Sequence, residues 1–385
     1  MNTKKILGVV AEYDPFHNGH VRHLSESRKA VNPDTVYVVL SPCLKQRGTL
    51  SLLSPYDRAA CAVHEGADAV FSLPVLWTIR SAEDYALGSV SLLAGLGITH
   101  LAFGAETADP ELLSHTAALL EDPPPLLTET LHTLLMEGLG YPAALSRAAA
   151  ACLPDAGDIL SRPNNILAVS YLRAIRRLCV DIHPVIIPRT GNYHDDIIDP
   201  EAPSASALRN GIRRGLFQQA FSAMPSFSAG ILYRRFLDRH FPIPEKWNLL
   251  VSERLRLMDS LSSFDDPEGL LSVLRKNASS GMDPATIASR RYPASRVSRL
   301  CALAVLNVSS RRLESLSLPS VTLLLALRKK TALTDGWKDL PVHICSSVMD
   351  WKKAADPEDL LSWKLWALCC GLPDTLPFTE KMYTE

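Results

Sequence analysis

The chain has 385 residues, 47% of them hydrophobic and 21% charged, with 40 basic against 41 acidic side chains and a formal net charge of −1. That much apolar material excludes wholesale disorder, and at about 150 residues per domain two or three domains are expected. A net charge near zero, taken alone, speaks against a nucleic-acid partner, which a basic excess would announce. No apolar run reaches the roughly 18 residues of a membrane span, so no membrane partner is expected. The run after Lys4-Lys5 is too short for a signal peptide and is interrupted by Glu12 and Asp14. Eight cysteines lie scattered, with no CxxC pair and no short-spaced Cys/His set. Neither a zinc site nor a disulfide framework follows from them, and reduced thiols in a cytoplasmic protein are the expectation.

In chain order, Ile6 to Ala11 is a short apolar run of the kind that forms a parallel strand buried on both faces. A helix is predicted from Gly19 to Ala30, and a second strand at Thr35 to Leu40, rich in β-branched residues. Pro55 to Gly66 reads as a helix with proline in its first turn and glycine at its end. Ala69 to Leu73 is a third strand, Ala82 to Leu96 a helix closed by Gly97, and His100 to Gly104 a fourth strand. Pro123-Pro124-Pro125 breaks one helix from the next; a further helix covers Asn164 to Leu178, and Pro184 to Arg189 is a fifth strand. Beyond Ser204 nearly everything reads as short helices separated by Pro, Gly and Ser. The fold class is therefore α/β. A Rossmann-like parallel sheet covered by helices is expected over residues 1–203, and a mostly α-helical domain over 204–385.

The chemistry concentrates in Glu12-Tyr13-Asp14-Pro15-Phe16-His17-Asn18-Gly19-His20, where the first strand ends and the first helix begins. Ligands of α/β sheets bind at the carboxyl ends of the strands. Residues three apart share a helix face, so His17 and His20 point to one place. Gly19 permits close approach of a ligand, and the positive helix end attracts phosphate. Two imidazoles there can stabilise charge building on an α-phosphate. Acidic pairs such as Asp195-Asp196 and Asp265-Asp266 are too sparse for a metal cage, and no metal-ligating set is assigned.

This His-x-Gly-His block resembles the nucleotidyltransferase superfamily and, with later blocks, the tRNA(Met) cytidine acetate ligase family. Those later blocks are Gln46-Arg47-Gly48, Phe103-Gly104-Ala105-Glu106, Pro163-Asn164-Asn165-Ile166-Leu167 with Tyr171, Arg189-Thr190-Gly191-Asn192-Tyr193-His194-Asp195, and Ser204-Ala205-Ser206-Ala207-Leu208-Arg209. Arg290-Arg291-Tyr292 with Arg296 and Arg299 is similar to that family's basic helix. The resemblance implies a nucleotidyltransferase fold and a two-step reaction. Acetate attacks the α-phosphate of ATP, which arrives as Mg-ATP. The acetyl group of the resulting adenylate then moves to N4 of the wobble cytidine of elongator tRNA(Met). It implies catalytic roles for His17 and His20. It implies nucleotide contacts at Val10, Glu12, Tyr13, Asp14, Pro15, Phe16, Asn18, Gly19, His23, Gly104, Asn164, Asn165 and Arg189. RNA contacts are implied at Arg290, Arg291, Arg296 and Arg299. Local alternatives exist: Gly104 ending its strand, Asn164 capping its helix, Arg189 pairing with Asp195 or Asp196.

The chain departs from the family in Ser41-Pro42-Cys43-Leu44-Lys45-Gln46-Arg47-Gly48-Thr49-Leu50-Ser51. Pro42 stands in place of a flexible glycine, Cys43 in place of a polar side chain, and the Glu-Pro after Gly48 is missing. Cys43, beside Lys45 and Arg47, is either a reactive thiol or a spectator. The C-terminal eighty or so residues match the family pattern loosely; Trp351, Trp363 and Trp366 there read as core packing.

Resolved by segment, the charge changes meaning. Residues 1–208 carry 15 basic and 23 acidic side chains, 209–330 carry 20 and 9, and 331–385 carry 5 and 9. The one-sided excess in the middle suits an RNA backbone. Two other readings stay open. One is a nucleotidyltransferase acting on a small phosphorylated acceptor, and the other is a paralogue that binds nucleotide or RNA without turnover. Nothing in the sequence sets the oligomeric state.

Overall fold

A computed structural model describes residues 4–189, 197–257, 269–279, 284–289, 292–329, 334, 336–375, 378–379 and 382–385. The strands expected from the sequence form as β1 (Ile6–Ala11), β2 (Thr35–Leu40), β3 (Ala69–Ser72), β4 (His100–Ala105) and β5 (His183–Pro188). They pair in parallel in the order β5-β4-β1-β2-β3. The chain runs outward one way from β1 to β3 and the other way from β4 to β5. The order reverses between β1 and β4, and that switch point opens the crevice in which such sheets bind ligands.

Alternation along β2 shows why these residues make a buried strand. Val36, Val38 and Leu40 join one core, while Tyr37 and Val39 join the core on the opposite face. The helix Asn18–Val31 follows β1, Pro55–His64 follows β2, Ala82–Gly95 precedes β4, and Pro163–Leu178 precedes β5. Ser54 and Ser81 cap two of these, accepting from the backbone N–H of Asp57 and Asp84 at 3.1 Å each.

After Ser204 come the helices Ala205–Arg213, Phe217–Ser222, Ser226–Leu237, Pro244–Leu257, Leu270–Ser279 and Ala294–Val305. The chain does not stay helical. β6 (Val321–Leu327) lies antiparallel beside β3, and β7 (His343–Cys345) and β8 (Tyr383–Thr384) pair with β6. Among the described residues the sheet thus has eight strands, three of them beyond the sequence expectation. The run Val-Thr-Leu-Leu-Leu-Ala-Leu is too short for its periodicity to separate a strand from a buried helix, and its partner β3 is far away in sequence. The helices Val348–Ala354 and Pro357–Cys370 then lay Trp351, Trp363 and Trp366 into the core against β1 and β2. All three are almost fully buried, as core packing requires. Among the described residues no helix is long and apolar enough to cross a membrane.

Candidate active site at the carboxyl ends of β1 and β4

The residues after β1 turn sharply, with Tyr13 at φ 48, and Phe16 drops into the core before His17 caps the helix Asn18–Val31. The rings of His17 and His20 stack 3.7 Å apart at 20°. The backbone N–H of His17 donates to His20 Nδ1 at 3.2 Å. That bond makes Nδ1 an acceptor, so the His20 ring proton sits on Nε2. His17 Nδ1, buried, has no hydrogen-bond partner. A Cβ on Gly19 would lie 3.0 Å from the His17 ring, so the glycine makes room for that imidazole first. Asn18 is fastened from outside: its N–H donates to the carbonyl of Ala223 at 3.0 Å and its side chain to that of Ser222 at 3.4 Å.

Burial holds all three histidines of this helix neutral. It lowers His17 to about 3, helped by Arg189 and Arg209. It pulls His20 well below the usual range, with His17, Arg189 and His23 adding to it. It lowers His23 to about 4, with Arg189 adding and Glu26 opposing. A neutral imidazole can donate its one N–H to a phosphate oxygen without bringing a second proton to transfer. Tyr13 packs edge-on against His20 at 4.8 Å and Phe16 tilts against it at 5.4 Å, so the aromatic shell that desolvates His20 comes from its own loop.

Asp14 lies 1% exposed beneath this loop. Its carboxylate accepts from Lys45 Nζ at 2.7 Å and from the Leu52 N–H at 2.6 Å, while Arg209 donates to its carbonyl at 2.5 Å. Burial disfavours the carboxylate charge, but Lys45, Arg209 and Arg58 together hold the group below its ordinary value. Burial lowers Lys45 in turn, against the pull of Asp14. Arg58, fully buried, donates to the carbonyls of Glu12 (2.6 Å), Ser41 (2.9 Å), Leu53 (3.1 Å) and Pro42. The altered segment after β2 is thus a tight hairpin closed by a Leu44–Leu50 bridge. Gln46 ties it on both sides, its N–H to the Glu12 carboxylate and its side-chain amide to the carbonyl of Arg80, both at 2.8 Å. Cys43 is fully buried, which withdraws its thiol from solvent. Lys45, Arg58, Gln46 and Arg209 were not among the site residues drawn from the sequence. Lys45, Gln46 and Arg209 stood in quoted motif segments and Arg58 in none, and the chief partners of all four lie in other segments.

On the other side of the switch point, Arg189 runs its stem over Gly104, whose Cβ would come within 2.9 Å of it. Its guanidinium donates to Asn164 Oδ1 at 3.0 Å. Glu106, which the sequence reading quoted without assigning a role, organises this corner. It accepts from the Asn164 side chain at 2.6 Å and from the Asn165 N–H at 2.8 Å. Asn165 is fully buried, with Oδ1 accepting from the N–H groups of Glu106 (2.9 Å) and Thr107 (3.0 Å) and Nδ2 donating to Thr107 Oγ1 at 2.9 Å. Asn165 is therefore committed to the loop after β4, and Asn164 is the one that reaches Arg189. Val10, half-buried, is the penultimate residue of β1.

The basic helix Ala294–Val305 meets this site through the hairpin. Gly48, at φ +78, lies so close that a Cβ would come 2.5 Å from the backbone nitrogen of Arg299. Arg296 and Arg299 line a cleft of ≈ 510 Å³ together with Arg80, Asp84 and Glu314. Burial, then Arg296, lowers Arg299, with Arg47 adding and Asp84 opposing. Arg290 and Arg291 lie outside the described residues, as do residues 190–196 of the Arg189 block. Part of the basic excess is internal: Arg235 pairs with Asp57, Arg312 with Asp356 and Glu358, and Arg328 with Glu385.

Residues 4–367 match the family described as HIGH Nucleotidyl Transferase. The tRNA(Met) cytidine acetate ligase of Fervidobacterium nodosum is 37% identical over 241 residues, 62% of this chain and 57% of that protein. That of Kosmotoga olearia is 36% identical over 66% of this chain and 62% of its own. The chain thus spans 57% and 62% of the length of these two relatives. The Acetivibrio thermocellus protein of the same name is 31% identical, with 96% of each chain covered. The crystal structure of Thermotoga maritima TmcAL (apo, form I) superposes with a TM-score of 0.90 at 25% identity over 99% of both chains. The same protein bound with alpha-thio ATP gives 0.87 at 24% identity over 99% of both, a likeness of fold. The chain belongs to the HIGH nucleotidyl transferase family and, within it, to the tRNA(Met) cytidine acetate ligase family.

Proposed function

We propose that this chain is an ATP-dependent ligase that activates acetate as acetyl-adenylate and transfers the acetyl group to N4 of the wobble cytidine of elongator tRNA(Met). The observation that carries the reading is the neutral, stacked His17/His20 pair at a helix start, with Arg189 and Arg209 close enough to lower it. A neutral His20 ring whose Nε2 carries the proton, stacked on His17 at a helix start, suits the oxygens of a phosphate. In the first step an acetate oxygen bonds to the α-phosphorus, the bond to the bridging oxygen breaks, and pyrophosphate leaves. His20 Nε2–H would donate to the α-phosphate oxygen as its charge grows, and the helix N-terminus would favour the same charge. In the second step the cytidine N4 attacks the acetyl carbon, AMP leaves, and N4 loses a proton. Magnesium would come with the nucleotide and keep most of its waters. Arg296 and Arg299 would face RNA phosphates on the far side of the hairpin.

The test is incubation with ATP, isotope-labelled acetate and tRNA, followed by nucleoside mass spectrometry. The reading expects label on N4-acetylcytidine and one AMP released per acetyl transferred. Adenylylation of a small phosphorylated acceptor, with no label in RNA, would contradict it.

A further inference from the structure

The helix Ser226–Leu237 turns one face outward that a water-facing helix would not carry. Tyr233, Phe236 and Leu237, at i, i+3 and i+4, are 51%, 41% and 60% exposed. Behind them stands a layer of half-buried rings. Phe217 lies 4.3 Å from Phe236, Phe221 lies 6.1 Å from Tyr233, and Phe241 lies 6.3 Å from Phe236. The surrounding charge is almost all of one sign. Between Ala205 and Ile243 the chain has six arginines and one acid, Asp238. Arg209 is held on Asp14 and Arg235 on Asp57. Arg213, Arg214, Arg234 and Arg239 are exposed. This surface is also fixed to the reaction centre, because Ser222 and Ala223 at the end of Phe217–Ser222 hold Asn18.

An apolar protein partner would be met by an apolar patch with a mixed rim. A ring platform whose own stretch of chain offers four exposed arginines against one exposed acid, Asp238, fits stacked bases on a charged backbone. We propose that this face is a second RNA site, a stacking platform for unpaired nucleotides flanking the acceptor base, in addition to the cleft at Arg296 and Arg299. The proposal rests on the reading of the chain as an RNA-acetylating ligase. Tyr233 and Phe236 would each take the face of one base, and Arg234 and Arg239 would hold the phosphates between them.

The test uses the full chain with a synthetic anticodon stem-loop RNA, its binding followed by fluorescence anisotropy at several salt concentrations. Tyr233→Ala should weaken binding about tenfold and Tyr233→Phe should leave it unchanged, because stacking needs the ring and not the hydroxyl. The Arg234→Ala, Arg239→Ala double variant should lower the salt slope by about two. Acetate-dependent pyrophosphate exchange measured without RNA should stay at the wild-type rate in Tyr233→Ala, showing the adenylating site intact. If Arg296→Ala weakens binding while Tyr233→Ala does not, the platform is wrong and the ligase reading survives. If the wild-type chain binds no RNA, both fall. If Tyr233→Ala breaks an oligomer and leaves RNA affinity untouched, the face belongs to a protein contact and the proposal is overturned.

Discussion

The His20 ring is set by two neighbours: the N–H of His17 fixes its tautomer, and Gly19 leaves room for the His17 ring stacked on it. In the proposed reaction, replacing His20 with alanine would remove one donor at a developing charge and should lower the rate of pyrophosphate exchange by about 10²–10³-fold. The melting temperature should move little, which differential scanning fluorimetry checks. Lys45 acts differently. It is the hydrogen-bonded charge partner of a carboxylate with 1% side-chain exposure, and Lys45→Met leaves that charge to the more distant Arg209, 3.7 Å away. Urea unfolding should show a loss of about 3–5 kcal/mol, most of it recovered when Asp14→Asn is added. An unrecovered double variant would mean that packing of the lysine stem, not its charge, holds the hairpin. The imidazole pair was legible because its spacing is local. Lys45 and Arg58 were not, since their partners Asp14 and Glu12 lie 31 and 46 residues away and no periodicity links them.

Among the elements, the hairpin after β2 links the loop after β1 to the cleft at Arg296 and Arg299. Gln46 bonds to Glu12 at the end of β1 and to Arg80 beside the basic cleft, and Gly48 presses against the backbone at Arg299. A side chain at Gly48 meets backbone that cannot swing away, at a φ that favours glycine. Gly48→Ala should therefore raise the Kd for tRNA several-fold while leaving the KM for ATP near wild type. A loss confined to the KM for ATP would show that the hairpin serves the nucleotide alone. The five strands and four helices bounded from the sequence were readable to within one or two residues, since each strand is a short apolar run, whereas the helices between Pro110 and Ile159 were given no bounds. β6 was not readable, because its strand character comes from pairing with β3 and from the helices laid over it. Likewise Asn164 and Asn165 are equivalent in sequence. Only the bonds through Glu106 and Thr107 commit Asn165 to the loop and turn Asn164 toward Arg189.

At the scale of the whole molecule, a net charge of −1 conceals an acidic sheet half and a basic helical middle, joined again by C-terminal residues that return to the sheet. Buried ionisable groups set how this assembly answers to pH. His17 and His23 fall from an ordinary 6.5 to about 3 and about 4. The unfolded chain therefore binds the extra protons, and stability drops as pH falls from 6.5 toward those values. Asp359 is raised by burial from 3.8 to about 7, so its contribution runs the other way and stability is lost as pH rises through that window. Asp359→Asn should raise the melting temperature at pH 8 and leave it unchanged at pH 4, because Oδ1 still accepts from the Val75 N–H that it meets at 2.6 Å. Acetate-dependent exchange of labelled pyrophosphate into ATP, without RNA, measures directly whether the His17/His20 site makes an acyl-adenylate. Label should enter ATP only when acetate is present and should be lost in His20→Ala. Exchange that ignores acetate, or none from folded protein, would contradict the account.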